Sequence, residues 1–129
     1  MTDVRVTVGP RIIEIETKAG DEFFNALTGE TNFITQCSNS LEVVDKVEDY
    51  KVFLRPSKVA ELSTNATAFT AAKTKVINAW KSGGLLGNAK IQDRFKVFFD
   101  SENNLNAVQL EQLLIANSDW FESIFLKNL

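Results

Sequence analysis

The chain has 129 residues, 44% hydrophobic and 24% charged, with 14 Lys and Arg against 17 Asp and Glu for a net charge of −3. That composition belongs to a globular chain rather than a disordered one. The length suits one domain over 1–129, able to hide roughly two-thirds of its unfolded surface. There is one cysteine and no histidine, which excludes an internal disulfide framework, Ser-His-Asp and Cys-His catalysis, and zinc sites of the HExxH or Cys2His2 kind.

In chain order, Val4, Val6 and Val8 alternate with Arg5 and Thr7, and Ile13 and Ile15 alternate with Glu14 and Glu16. These are period-2 patterns of half-buried strands. A type II′ turn at Gly9-Pro10 would set Val6 opposite Ile13, Val4 opposite Ile15 and Arg5 opposite Glu14. A slip of one residue would flip every side chain to the wrong face. Glu14 and Glu16 therefore read as the wet face of a strand, not as an acid–base pair. Asp21 is a candidate cap for a short helix ending at Gly29. Residues 32–37 lean towards strand, 38–40 towards loop, and 41–47 fit either helix or strand. Tyr50–Leu54 reads as a strand ended by Pro56.

From Ser57 onward, apolar residues recur at spacings of three or four through Val59, Leu62, Ala66, Phe69, Val76, Ile77 and Trp80, which predicts amphipathic helix. The Ser/Thr/Asn-rich stretch 63–67 marks a start or bend, and Gly83-Gly84 a stop. Lys73 to Lys81 reads as a solvated helix face. Asn88 caps a further helix, 100–104 is a polar loop, and 105–116 and 119–129 are helical, the last through an Asp119/Glu122 capping box. The change of period near Pro56 predicts an α+β fold. Its small antiparallel sheet comes from the N-terminal half, as a hairpin over 3–17 with strands near 32–37 and 50–54, and helices of the C-terminal half pack on it.

Three segments carry candidate chemistry. Asp100, Glu102, Asn104 and Glu111 fall at the first, third, fifth and twelfth positions of a loop that looks somewhat like an EF-hand. Leu105 stands where the loop wants glycine and no second loop pairs with it, so a plain polar connection is expected, with no metal and no cofactor. The run GGLLGNAK over 83–90 could offer backbone N–H groups to a phosphate, but it lacks the P-loop spacing. Asn65-Ala66-Thr67 matches a glycosylation sequon only by pattern. Finally, Trp120, Phe121, Ile124 and Phe125 share one face of the last helix, either closing the core or anchoring a partner. Phe121 and Phe125 are assigned to the core and Trp120 to an exposed anchor, and the four together form the candidate interface.

These features lean away from an enzyme. The leading expectation is a non-catalytic protein–protein interaction or assembly factor, acting on a protein partner or by self-association as a homodimer. The abundance of Phe, Asn, Lys and Ile suits an AT-rich microbial or phage genome. The alternative is a small apolar-ligand-binding domain with a pocket lined by some of the ten phenylalanines. The third is a carboxylate- or arginine-based enzyme using Arg55, Glu61, Asp93 and Arg94. The acidic balance argues against nucleic acid. No apolar run reaches the ~20 residues of a membrane span and MTDVRVTVGP lacks a signal core, so no membrane contact and a cytoplasmic location are expected.

Overall fold

Alternation in the first eighteen residues is realised as a hairpin. β1 (Asp3–Val8) and β2 (Arg11–Lys18) pair antiparallel, with Val4 opposite Ile15, Arg5 opposite Glu14 and Val6 opposite Ile13. Gly9 between them has φ 61°, the left-handed value that a two-residue hairpin turn demands and that glycine adopts without steric cost. The computed structural model describes residues 3–9, 11–18 and 31–126, so the helix expected over 21–29 and the end of the last helix lie outside the described residues.

The expected antiparallel sheet is overturned at its third strand. β3 (Tyr50–Leu54) joins the other side of β2 in parallel, Glu14 opposite Tyr50 and Glu16 opposite Val52, giving the order β1-β2-β3. The strand expected near 32–37 and the loop at 38–40 are instead one helix, α1 (Thr31–Val43). The two corrections have one cause. Parallel neighbours cannot be joined by a tight turn; they need a crossover of a dozen or more residues, usually helical. α1 lies in that crossover. Its burial follows the helical period: Cys37, Ser40, Leu41 and the adjoining Val44 are buried, at spacings of three, one and three. That face outweighs the weak strand leaning of Phe33, Ile34 and Thr35. The molecule is mostly helical, and the sheet is mixed.

A 3-10 turn over Val47–Asp49 leads into β3, and Pro56 opens α2 (Pro56–Thr64). Asn65 ends α2 and caps α3 (Ala66–Ser82), its side chain accepting from the Ala68 N–H at 3.0 Å. The Gly83-Gly84 stop follows, Gly84 at φ 80°, and a 3-10 turn over Leu85–Gly87 presses Leu85 and Leu86 into the core. α4 (Ala89–Phe98) starts at Asn88, whose side-chain Oδ1 accepts from the Lys90 and Ile91 N–H groups. α5 (Ala107–Ala116) carries a full capping box between Asn106 and Gln109. α6 is one turn, Asp119–Phe121, continued as π-helix over Glu122–Leu126. The Asp119 capping box is not formed: Ser118 holds the N-cap position and makes no side-chain cap.

Trp80, Phe95, Leu110, Leu114 and Trp120 meet at the centre of one buried cluster with Tyr50 and Val52 of β3. The indoles of Trp80 and Trp120 lie 5.3 Å apart, and the Phe121 and Phe125 rings 4.7 Å apart. No helix among the described residues is long and apolar enough to cross a membrane.

Candidate interaction surface

The C-terminal aromatic stripe is core. Trp120, Phe121 and Ile124 are 0% exposed and Phe125 1%. Trp120, expected as an exposed anchor, is held from inside: its Nε1–H donates to the Leu114 and Asn117 carbonyls, each at 2.9 Å. The chain turns back at Asn117–Ser118, and this directs the indole under α5 instead of outward. The four candidate interface residues thus present no face to a partner in this structure.

The EF-hand-like residues do not converge. α4 ends in a Schellman motif, with the Asp100 N–H donating to Val97 O at 3.1 Å and the Ser101 N–H to Lys96 O at 2.9 Å. Asp100 occupies the left-handed position of that motif at φ 51°. Asn104 accepts from Lys96 Nζ at 2.9 Å, and Glu111, on α5, pairs with Lys81 of α3 at 3.2 Å. Glu102 is exposed. Among the described residues no group of three or more His, Cys, Asp or Glu is placed to hold a metal ion. The 83–90 run offers no open helix start either, because the Asn88 side chain covers it.

Several basic side chains are consumed inside the fold. Lys73, expected on a solvated face, donates to Ile115 O at 3.0 Å, Asn117 O at 3.2 Å and Ser118 Oγ at 3.4 Å, closing the end of α5. Arg94 donates through Nε to Val44 O and through Nη2 to Glu42 O at 3.2 Å, closing the end of α1. Lys51, buried on β3, donates to Ser123 O at 2.8 Å. Lys73 and Arg94 thus sit where a helix dipole and unpaired carbonyls are negative. Arg94 is therefore a structural cap, Glu61 pairs with its neighbour Lys58 at 3.4 Å, and Asp93 is exposed. Arg94 and Glu61 of the candidate enzyme set are thus engaged with different partners.

Among the described residues, two surface features stand out. One is an open cleft of about 530 Å³ where α2 gives way to α3, lined by Leu62, Ser63, Thr64, Ala66, Phe69, Ser118, Glu122 and Leu126. Only one of these is a phenylalanine, so it is not the Phe-lined pocket expected of an apolar-ligand carrier. The other is the outer side of α5. Leu110 and Leu114 bury its inner side at 0% exposure, yet Val108 is 63% and Ile115 57% exposed on the opposite side. Between and beside them lie Ala107, Gln109, Gln112 and Ala116, all exposed. The helix has one charged residue, Glu111, and the Lys81 pair ties it to α3. Surface helices normally turn charge to water; this one turns aliphatic and amide groups outward.

Comparison with protein-family models, with curated proteins and with solved structures yields no match to this chain.

Proposed function

We propose that the chain is a non-catalytic protein-interaction or assembly factor and that the outer face of α5 is its docking surface. One observation carries this reading. α5 is apolar on both sides, and its outward side holds Val108 and Ile115, seven residues apart on one line, with the one charge between them, Glu111, paired to Lys81 of α3. Two helical turns of aliphatic surface rimmed by amides match the core-and-rim make-up of protein interfaces. The cations spent on helix ends support a protein rather than a nucleic-acid partner. A cytoplasmic setting belongs to the proposal, since it would keep the lone buried Cys37 reduced.

A photo-crosslinking amino acid at position 112, in the native host, tests the reading. A discrete adduct is expected at 112 but not at the exposed Thr70 of α3, and it should vanish in Val108→Lys/Ile115→Lys. Absence of any adduct at 112, or an adduct indifferent to the double variant, would sink it.

The cleft favours a second reading, a small amphipathic ligand held between Phe69 or Leu126 and Glu122. Substituting Phe69→Ser and following ligand-induced stabilisation against a panel of small amphiphiles checks it: a melting shift must appear in the parent chain and disappear in the variant.

A further inference from the structure

We infer that the cleft beside the α2–α3 junction takes a small organic cation, a primary alkylammonium whose head meets Glu122 and whose tail lies on Phe69 and Leu126. The inference rests on the ligand reading of this cleft given above and names the ligand's chemical class.

Charge sets the class. Glu122 is the one charged residue that lines the cleft. It is exposed, and the ion pairs among the described residues, Arg5 with Glu14, Lys58 with Glu61 and Lys81 with Glu111, leave it out. Asp119, also exposed, stands three residues before it and next to the lining residue Ser118, so the rim gains a second negative charge. Lys73 reaches Ser118 Oγ at 3.4 Å, but its other bonds go to the Ile115 and Asn117 carbonyls. The three protons of its ammonium are thus spent inside the fold. Thr64, on the cleft wall, gives its hydroxyl proton to Ala60 O at 2.7 Å, and its oxygen can only accept from a ligand. An ionised acceptor beside a second acceptor suits an ammonium, which carries three donors and no acceptor.

The apolar wall sets the rest of the ligand. Leu62, Phe69 and Leu126 offer a surface for a hydrocarbon tail within about 530 Å³, an ordinary volume for a small-molecule site. The Phe69 ring is held by Phe121 at 5.1 Å and 74°, so it is in place before a ligand arrives, and a cation lies favourably over such a ring. Quaternary ammonium groups are taken by cages of several aromatics. One ring with a carboxylate and a hydroxyl acceptor fits a primary ammonium instead, because it has N–H groups to give.

Titration calorimetry of the purified chain at low salt, where charge attraction is least screened, tests this with octylammonium, octanol, octanoate and acetyl-lysinamide. Octylammonium should bind about tenfold or more tighter than octanol, the worth of one charge-assisted hydrogen bond, and octanoate should bind weakest. Glu122→Gln should bring octylammonium to the octanol level with an unchanged melting temperature. Glu102→Gln, an exposed carboxylate that does not line the cleft, should leave binding as it is. Acetyl-lysinamide, with a shorter stem, should bind more weakly; binding as tight as octylammonium's would assign the ammonium to a protein's lysine and overturn the small-molecule ligand. Amine and alcohol bound equally, or an amine preference indifferent to Glu122→Gln, would overturn the cationic ligand and leave the cleft's ligand role standing. No binding by any probe would remove both.

Discussion

Lys73 shows how a side chain's work depends on what folds over it. On α3 alone it occupies a polar position, and its spacing to Lys75 and Lys81 reads as water-facing. Its partners lie 42 to 45 residues further on, at the end of α5, so no local pattern could reveal them. Arg94 is the same case across 50 and 52 residues. Lys73→Met keeps the stem and removes the ammonium, leaving the Ile115 carbonyl short of a donor while the Asn117 carbonyl keeps the Trp120 indole. We expect a loss of about 1–3 kcal/mol, since hydrogen bonds from charged donors are worth more than neutral ones. Urea unfolding reads it as a lower midpoint at constant slope; an unmoved midpoint would mean that water replaces the lysine without cost. Arg5 and Glu14 were legible as a pair from the hairpin register alone. Glu14 raises the Arg5 guanidinium above its ordinary value, first by its hydrogen bond and then by its charge. The guanidinium thus stays charged below that raised value, and no stability change near neutral pH follows from it.

At the level of elements, signals that act within a few residues were the readable ones. Asn88 caps α4 where the sequence places a cap, Asn65 caps α3 within the 63–67 stretch read as a start or bend, Gly84 ends α3, and Gly9 turns the hairpin. The segment 31–43 was not readable in this way, because its helical face competes with strand-prone residues and only the parallel crossover decides between them. Asp100 is instructive too. The residue that resembles a first calcium ligand serves as the left-handed terminator of α4, a place glycine fills at no steric cost. Asp100→Gly should therefore hold stability level or raise it by up to ~1 kcal/mol, the relief of left-handed strain being partly offset by a freer unfolded chain. A lower melting temperature would show that the carboxylate has another duty. Calcium titration calorimetry should show no event tighter than about millimolar, since an EF-hand loop needs its twelfth-position Glu in reach of the first and here Glu111 is turned to Lys81. In the π-helical continuation of α6, Phe125 is 1% exposed, its ring tilted against that of Phe121. Phe125→Ala should cost about 3–5 kcal/mol, as large aromatic truncations in cores do, and thermal unfolding will register it as a collapse of the transition.

For the whole molecule, the division of labour among apolar groups matters most. The stripe at 120–125 carries the largest side chains and is spent on the core. The modest aliphatics of α5 are left outside. Sequence alone sent Phe121 and Phe125 to the core but Trp120 outward, and kept the stripe as the candidate interface, because size was legible and exposure was not: which face of α5 meets α3 is fixed by Leu110 and Leu114 packing beside Trp80 and Trp120. The central claim is that Val108 and Ile115 do no folding work and are free to bind. Urea denaturation of Val108→Lys/Ile115→Lys tests it directly. The account predicts an unfolding free energy within about 1 kcal/mol of the parent chain, as for surface substitutions away from packed features. A loss above roughly 3 kcal/mol, the scale of a core substitution, would place this face inside the fold and contradict it.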